Sequence, residues 1–91
     1  MSETLVGTVT HYYSRIGVAA VDLRDALSKG DRIHFLGHTT ELYGLVDSME
    51  INHDQIDRAK PGDDVAIKVS SKVRSGDKVF IRSTSEESPE V

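Results

Sequence analysis

A chain of 91 residues, 37 % apolar and 29 % charged, is enough for one domain around one modest core and excludes a second. It contains no Cys and no Trp, which excludes disulfides and thiolate metal sites, and its net charge of −4 argues against general nucleic-acid affinity. The opening MSETLVGTVT lacks the basic and apolar regions of a signal peptide, and no run reaches the length of a membrane helix, so a soluble cytoplasmic protein is expected.

Strand signals dominate along the chain. LVGTVTHYY alternates Leu5, Gly7 and Val9, and Tyr12 and Tyr13 are expected at a hairpin tip with Arg15 behind them. RIGVAAVDL offers Ile16, Val18 and Ala20 on one face and Ala19, Val21 and Leu23 on the other. The stretch AAVDLRDALSKG is the sole candidate for a helix. DRIHFLG alternates Ile33 and Phe35 with Arg32, His34 and Leu36. ELYGLVDSMEIN is long for one strand, and its apolar phase slips between Val46 and Met49, which a β-bulge would absorb. HDQIDRAKPG (53–62) reads as the longest irregular segment, anchored by Ile56 and Ala59 as a single helical turn. DVAIKV and KVFIR close the series with Val65, Ile67, Val69, Val79 and Ile81 in phase. The tail STSEESPEV takes three acids and no base, leaving twelve acids against eleven bases, and reads as disordered. The domain is therefore expected over 1–82 and an acidic tail over 83–91. Six or seven short strands in so short a chain predict an all-β fold, a small closed antiparallel Greek-key barrel, because closure removes exposed sheet edges.

Three of the strands follow a Gly-Asp pair: Gly30-Asp31, Gly62-Asp63 and Gly76-Asp77. A phosphate loop would need a second Gly at fixed spacing and a following helix, and each pair here precedes a strand. A calcium loop needs several oxygen ligands within twelve residues, and these Asp residues lie far apart. Turn formation accounts for all three. Gly supplies a positive φ, Asp accepts backbone hydrogen bonds, and Pro61 pre-sets a type II turn in KPGD.

Other constellations are sparse. His34 and His38 have a spacing that zinc ligands use on helices, but on a strand followed by Gly37 they read as surface residues, and no metal site is expected. His11, Ser14 and Asp22 have the residue types of a triad without a nucleophile elbow, so no enzyme activity is expected and no cofactor is implied. Lys68, Lys72, Arg74 and Arg82 belong to a stretch from 60 to 82 with six bases against three acids. They are candidates for a phosphate-contacting patch, with Tyr12, Tyr13 and Arg15 as stacking or anchoring groups.

Several pieces recur in an order that resembles a known family. They are Gly7-Thr8-Val9, then Lys29-Gly30-Asp31-Arg32-Ile33, then Val46-Asp47-Ser48-Met49-Glu50, then 59–67 (AKPGDDVAI), then Ser75-Gly76-Asp77-Lys78-Val79. Together they resemble the second, β-barrel domain of translation GTPases of the elongation factor Tu and initiation factor 2 type, over about residues 4–82. The resemblance implies a barrel of the translation-protein type. It also implies a non-catalytic module contacting RNA or the ribosome, with the aminoacyl end of tRNA near the segment matching 48–53. No P-loop, switch region or second barrel is present, so neither nucleotide binding nor hydrolysis is implied. The extra apolar strand within 11–23 is similar instead to the C-terminal barrel of collagenase-like peptidases. A second expectation stands beside the first: a protein-interaction or accessory barrel serving a separately encoded enzyme or GTPase.

Overall fold

The structure, a computed structural model, describes residues 3–82. The expected tail, 83–91, lies outside the described residues. Ten strands and no helix make up the described chain: β1 (Glu3–Tyr13), β2 (Val18–Leu23), β3 (Leu27–Ser28), β4 (Arg32–Leu36), β5 (Glu41–Leu45), β6 (Met49–Ile51), β7 (Asp54–Ile56), β8 (Arg58–Ala59), β9 (Asp64–Lys68) and β10 (Lys78–Arg82). Eight form one antiparallel sheet in the order β5-β4-β10-β1-β2-β9-β6-β7, and β3 pairs with β8 apart from it. The all-β antiparallel class is thus as the alternation predicts, with more and shorter strands.

The three Gly-Asp pairs build one device three times. Each nine-residue stretch reads buried apolar, two spacers, Gly, Asp, one exposed residue, then two alternating apolar residues: Leu27 to Phe35, Ala59 to Ile67 and Val73 to Ile81. In each turn the Asp N–H donates to the carbonyl three residues back, on Ser28, Lys60 or Arg74, at 3.0–3.1 Å. Its carboxylate in return accepts the N–H of that same residue at 2.8–2.9 Å. The glycines have φ of 92–95°, the type II geometry in which a Cβ is unwelcome. Each turn then clasps one buried residue elsewhere. Gly30 N–H donates to Val46 O and Val46 N–H to Asp31 O; Gly62 and Asp63 hold Leu23 in the same way, and Gly76 and Asp77 hold Val9. All six bonds are 2.7–3.0 Å long. The repeated pattern therefore does more than start strands: it ties three strand starts to three distant core residues.

The core is one cluster that includes Phe35, Leu27, Ile33, Met49 and Ile67, with Val residues from β1, β2, β9 and β10. Strand β1 reaches it through two bulges. The register slips between Leu5 and Gly7 against β10 and between Val9 and His11 against β2. The first bulge turns Val6, not Leu5, into the core and bends the sheet, which corrects the simple alternation expected there. Three further expectations give way. Residues 19–30, the helix candidate, form β2, a bend and β3; 53–62 holds β7 and β8, not a helical turn; and the longest stretch without a strand is 69–77. The slip between Val46 and Met49 is not a bulge either. Strands β5 and β6 stand near opposite ends of the sheet order, and 46–48 carries the chain between them. Four steps of extended chain reach about 14 Å at most, so the sheet must curl until its ends approach. Among the described residues no ladder pairs β5 with β7, so the barrel-like curl closes through the Val46 clasp and the core, not through a continuous hydrogen-bonded seam.

Candidate functional site

The curl leaves an open groove of about 660 Å³ on the outer face of β2, β9, β6 and β7. Alternation places Ala19, Val21, Val65 and Ile67 in the core, so Val18, Ala20, Ala66 and Lys68 face outward. The register sets Val18 beside Lys68, Ala20 beside Ala66 and Asp22 beside Asp64, while Glu50 of β6 flanks Ala66 on the far side. The floor lies low between the rims because its middle row is alanine, whose side chain ends at Cβ. One rim is the β1–β2 turn. Its Ile16 and Gly17 amides donate to the Tyr13 carbonyl, and Gly17 adopts φ 66°. Tyr13 and Ile16 stay 48 % and 64 % exposed there, unusual for side chains so apolar. The opposite rim is the β6–β7 turn of Asn52 and His53, with φ of 53° and 71°. Two consecutive positive φ values make a type I′ turn, which favours Asn-Gly; His53 carries a Cβ there at a conformational cost.

A second cluster occupies the outer face of β1, β10, β4 and β5. His34 is 4 % exposed although its strand phase points outward. Its Nδ1 donates to Glu3 Oε2 at 2.8 Å, and its Nε2 faces Glu41 Oε2 at 3.4 Å without a hydrogen bond. Tyr43 stacks on the imidazole at 4.1 Å and nearly parallel, and Phe80 lies tilted at 6.2 Å. The Arg82 guanidinium sits 4.7 Å above the Tyr43 ring, with its Nε 3.4 Å from Glu3. Tyr43 OH donates to Glu41 at 3.2 Å. Partial burial, this hydrogen bond and the carboxylates of Glu41 and Glu3 push the Tyr43 phenol above its ordinary range, against the opposing pull of Arg82. Glu3 on β1 and His34 on β4 thus meet across β10, and among the described residues no Ser or Thr hydroxyl is hydrogen-bonded to His34.

The sequence-derived candidates do not gather in one place. Tyr13 and Lys68 line the groove. Tyr12 packs against the core, and Arg15 stands exposed in the β1–β2 turn. Lys72 and Arg74 lie in 69–77, Arg74 being the residue whose N–H the third turn's Asp77 accepts. Arg82 belongs to the second cluster, on β10, which two strands separate from β9 in the sheet order. No hydrogen bond joins His11, Ser14 and Asp22; His11 packs edge-on to Tyr13 at 4.4 Å. Among the described residues no group of three His, Cys, Asp or Glu is placed to hold a metal ion, and no helix is long and apolar enough to cross a membrane. The groove residues Ala20, Ala66, Glu50 and Asp64 escaped sequence reasoning. Their shared face follows from strand order, which alternation does not encode; His53 at a turn that prefers Gly was the one local sign.

No family model matches the chain. It is 38 % identical over 77 residues to a protein of Methanocaldococcus jannaschii named an uncharacterized protease, covering 84 % of this chain and 19 % of that one. It is 32 % identical over 80 residues to the collagenase of Porphyromonas gingivalis, covering 86 % and 22 %. The chain thus spans about a fifth of the length of these curated relatives. Among solved structures it is similar to the C-terminal domain of a Geobacillus thermoleovorans protein named for the U32 peptidases. The TM-score is 0.82 at 21 % identity, over 87 % of this chain and 92 % of that one. A selenomethionine variant of the same domain gives 0.79 at 22 %. At these identities the structural likeness shows the fold alone. Together the comparisons support the similarity to collagenase-like peptidase barrels and overturn the expectation of a translation-factor-like module contacting RNA or the ribosome. The reason is physical. The pieces that carried that resemblance, Gly30-Asp31, Gly62-Asp63, Gly76-Asp77 and 46–50, form the turn clasps and the crossover, which specify a barrel and no particular ligand.

Proposed function

We propose that this chain is a non-catalytic accessory β-domain of the peptidase type, which holds polypeptide in the β2–β9–β6–β7 groove for an enzyme. The observation that carries the reading is the 38 % match to about a fifth of a protein named a protease, in a domain with an open, partly apolar groove. A flat alanine floor between an aromatic–aliphatic rim and a polar rim suits an extended chain better than a small compact ligand, which needs enclosure. The purified chain should not hydrolyse gelatin or carboxymethylated casein, and should bind both saturably in a sedimentation or interferometry assay. Ala66→Arg fills the groove floor on an outward-facing position and should abolish binding while leaving the circular dichroism spectrum unchanged. Hydrolysis by this chain alone, or binding undiminished by Ala66→Arg, would refute the proposal.

A further inference from the structure

Asp22 and Asp64 face each other directly across the β2–β9 ladder, and among the described residues no cation pairs with either. Like charges opposite one another weaken a sheet, so the fold carries this pair at a cost. Asp64 and Glu50 line the groove, Glu50 one row away beside Ala66, and Asp22 stands next to Asp64 on the same outward face. The groove's single lysine, Lys68, stands at the other end, next to Val18 and the Tyr13–Ile16 rim. Charge and apolarity are thus segregated along the strand direction: an apolar, cationic end and an acidic end.

We infer that the groove is selective for extended polypeptide carrying a lysine or arginine four residues from an apolar side chain. The inference rests on the polypeptide-binding reading above and adds the identity of the occupant. Val18 and Asp22 are four residues apart on β2, a distance of about 13 Å in a strand, which an extended ligand also spans in four residues. The ligand's apolar side chain seats against Tyr13 and Ile16, and its cation reaches the Asp22–Asp64 pair with Glu50 alongside. Lys68 repels a cation placed at the wrong end and so sets the orientation. Nothing in this arrangement needs a preformed cavity, because the alanine row lets a backbone lie flat.

The test uses three neutral-flanked peptides that differ at one position, Gly-Leu-Ala-Ser-Ala-X-Gly with X as Lys, Gln or Glu and both ends blocked. Amide chemical-shift titration of the labelled 91-residue chain gives affinity and location together. The Lys peptide should bind at least fivefold tighter than the Gln peptide at about 50 mM salt, moving the Ala20 and Ala66 amides, and the advantage should shrink at 500 mM, where screening is strong. Asp22→Asn with Asp64→Asn should erase the advantage without lowering the thermal midpoint, since it removes a repulsion; Lys68→Gln should leave the advantage in place. Equal affinity for all three peptides would overturn the cation preference while leaving polypeptide binding intact. No shift at Ala20 or Ala66 with any peptide would overturn both.

Discussion

Replacing each clasp aspartate by alanine exploits three copies of one turn that differ in burial. All three carboxylates accept a backbone N–H at nearly the same length, 2.8, 2.9 and 2.8 Å at Asp31, Asp63 and Asp77. The bond at Asp63 is exposed and that at Asp77 part-buried, with the Asp77 side chain itself 5 % exposed. An exposed hydrogen bond exchanges with water and contributes about 0.5–1 kcal/mol. A bond to a charged acceptor in a dry setting contributes about 1.5–3 kcal/mol, and its removal also strands the Arg74 N–H. Asp63→Ala should therefore cost less than about 1 kcal/mol, Asp31→Ala an intermediate amount, and Asp77→Ala about 2–3 kcal/mol. With a urea m-value near 1 kcal/mol/M for a domain this small, the midpoint should fall by under about 1 M in the first case and by about 2–3 M in the last. Equilibrium urea unfolding followed by far-ultraviolet circular dichroism reads all three. Equal losses at the three positions, or a larger loss at Asp63 than at Asp77, would refute the argument that burial sets the strength of an otherwise identical turn.

Other substitutions probe separate features. A Cβ at Gly37 would overlap the Asp77 carboxylate, so Gly37→Ala should displace it and cost about 2–3 kcal/mol in the same urea assay, within the usual range for overpacking. At Gly76 an added Cβ meets open space, and Gly76→Ala should cost only the conformational strain of φ 95°, about 1–2 kcal/mol. His53→Gly relieves the positive φ in the β6–β7 turn and should raise the thermal midpoint by about 4–8 °C for each kcal/mol gained; a decrease would contradict the strain assigned to that turn. The raised phenol of Tyr43 favours the protonated form in the folded state. Its contribution is therefore complete below about pH 10, the ordinary tyrosine value, and disappears as pH rises through the folded one. The difference in urea midpoint between the parent chain and Tyr43→Phe should be present at pH 8 and vanish at high pH, checked against a spectrophotometric tyrosine titration.

Local rules carry far in this chain and then stop. The strand after each Gly-Asp pair is legible because side chains alternate with period two and because Gly and Asp have turn chemistry of their own. The crossover at 46–48 was not legible as such: a phase slip looks the same whether the chain bulges or leaves for the other end of the sheet. His34 shows the same limit. One isolated imidazole between Ile33 and Phe35 reads as a surface residue until strand order brings Glu3, Tyr43, Phe80 and Arg82 around it. The misreading of function has a related origin, since the recognisable pieces were those that shape a barrel, while the groove is lined by small and common residues such as Ala20 and Ala66.

By itself, then, the amino-acid order determined an all-β chain, its glycine–aspartate corners and the residues available for a core, because these depend on contacts between near neighbours. Tertiary structure alone decided which corner clasps Val9, Leu23 or Val46, which outward faces merge into a groove, and that Asp22 meets Asp64. Those outcomes depend on pairing between residues 15 to 68 positions apart, and pairing at such distance is set by the global packing of the sheet rather than by any local preference.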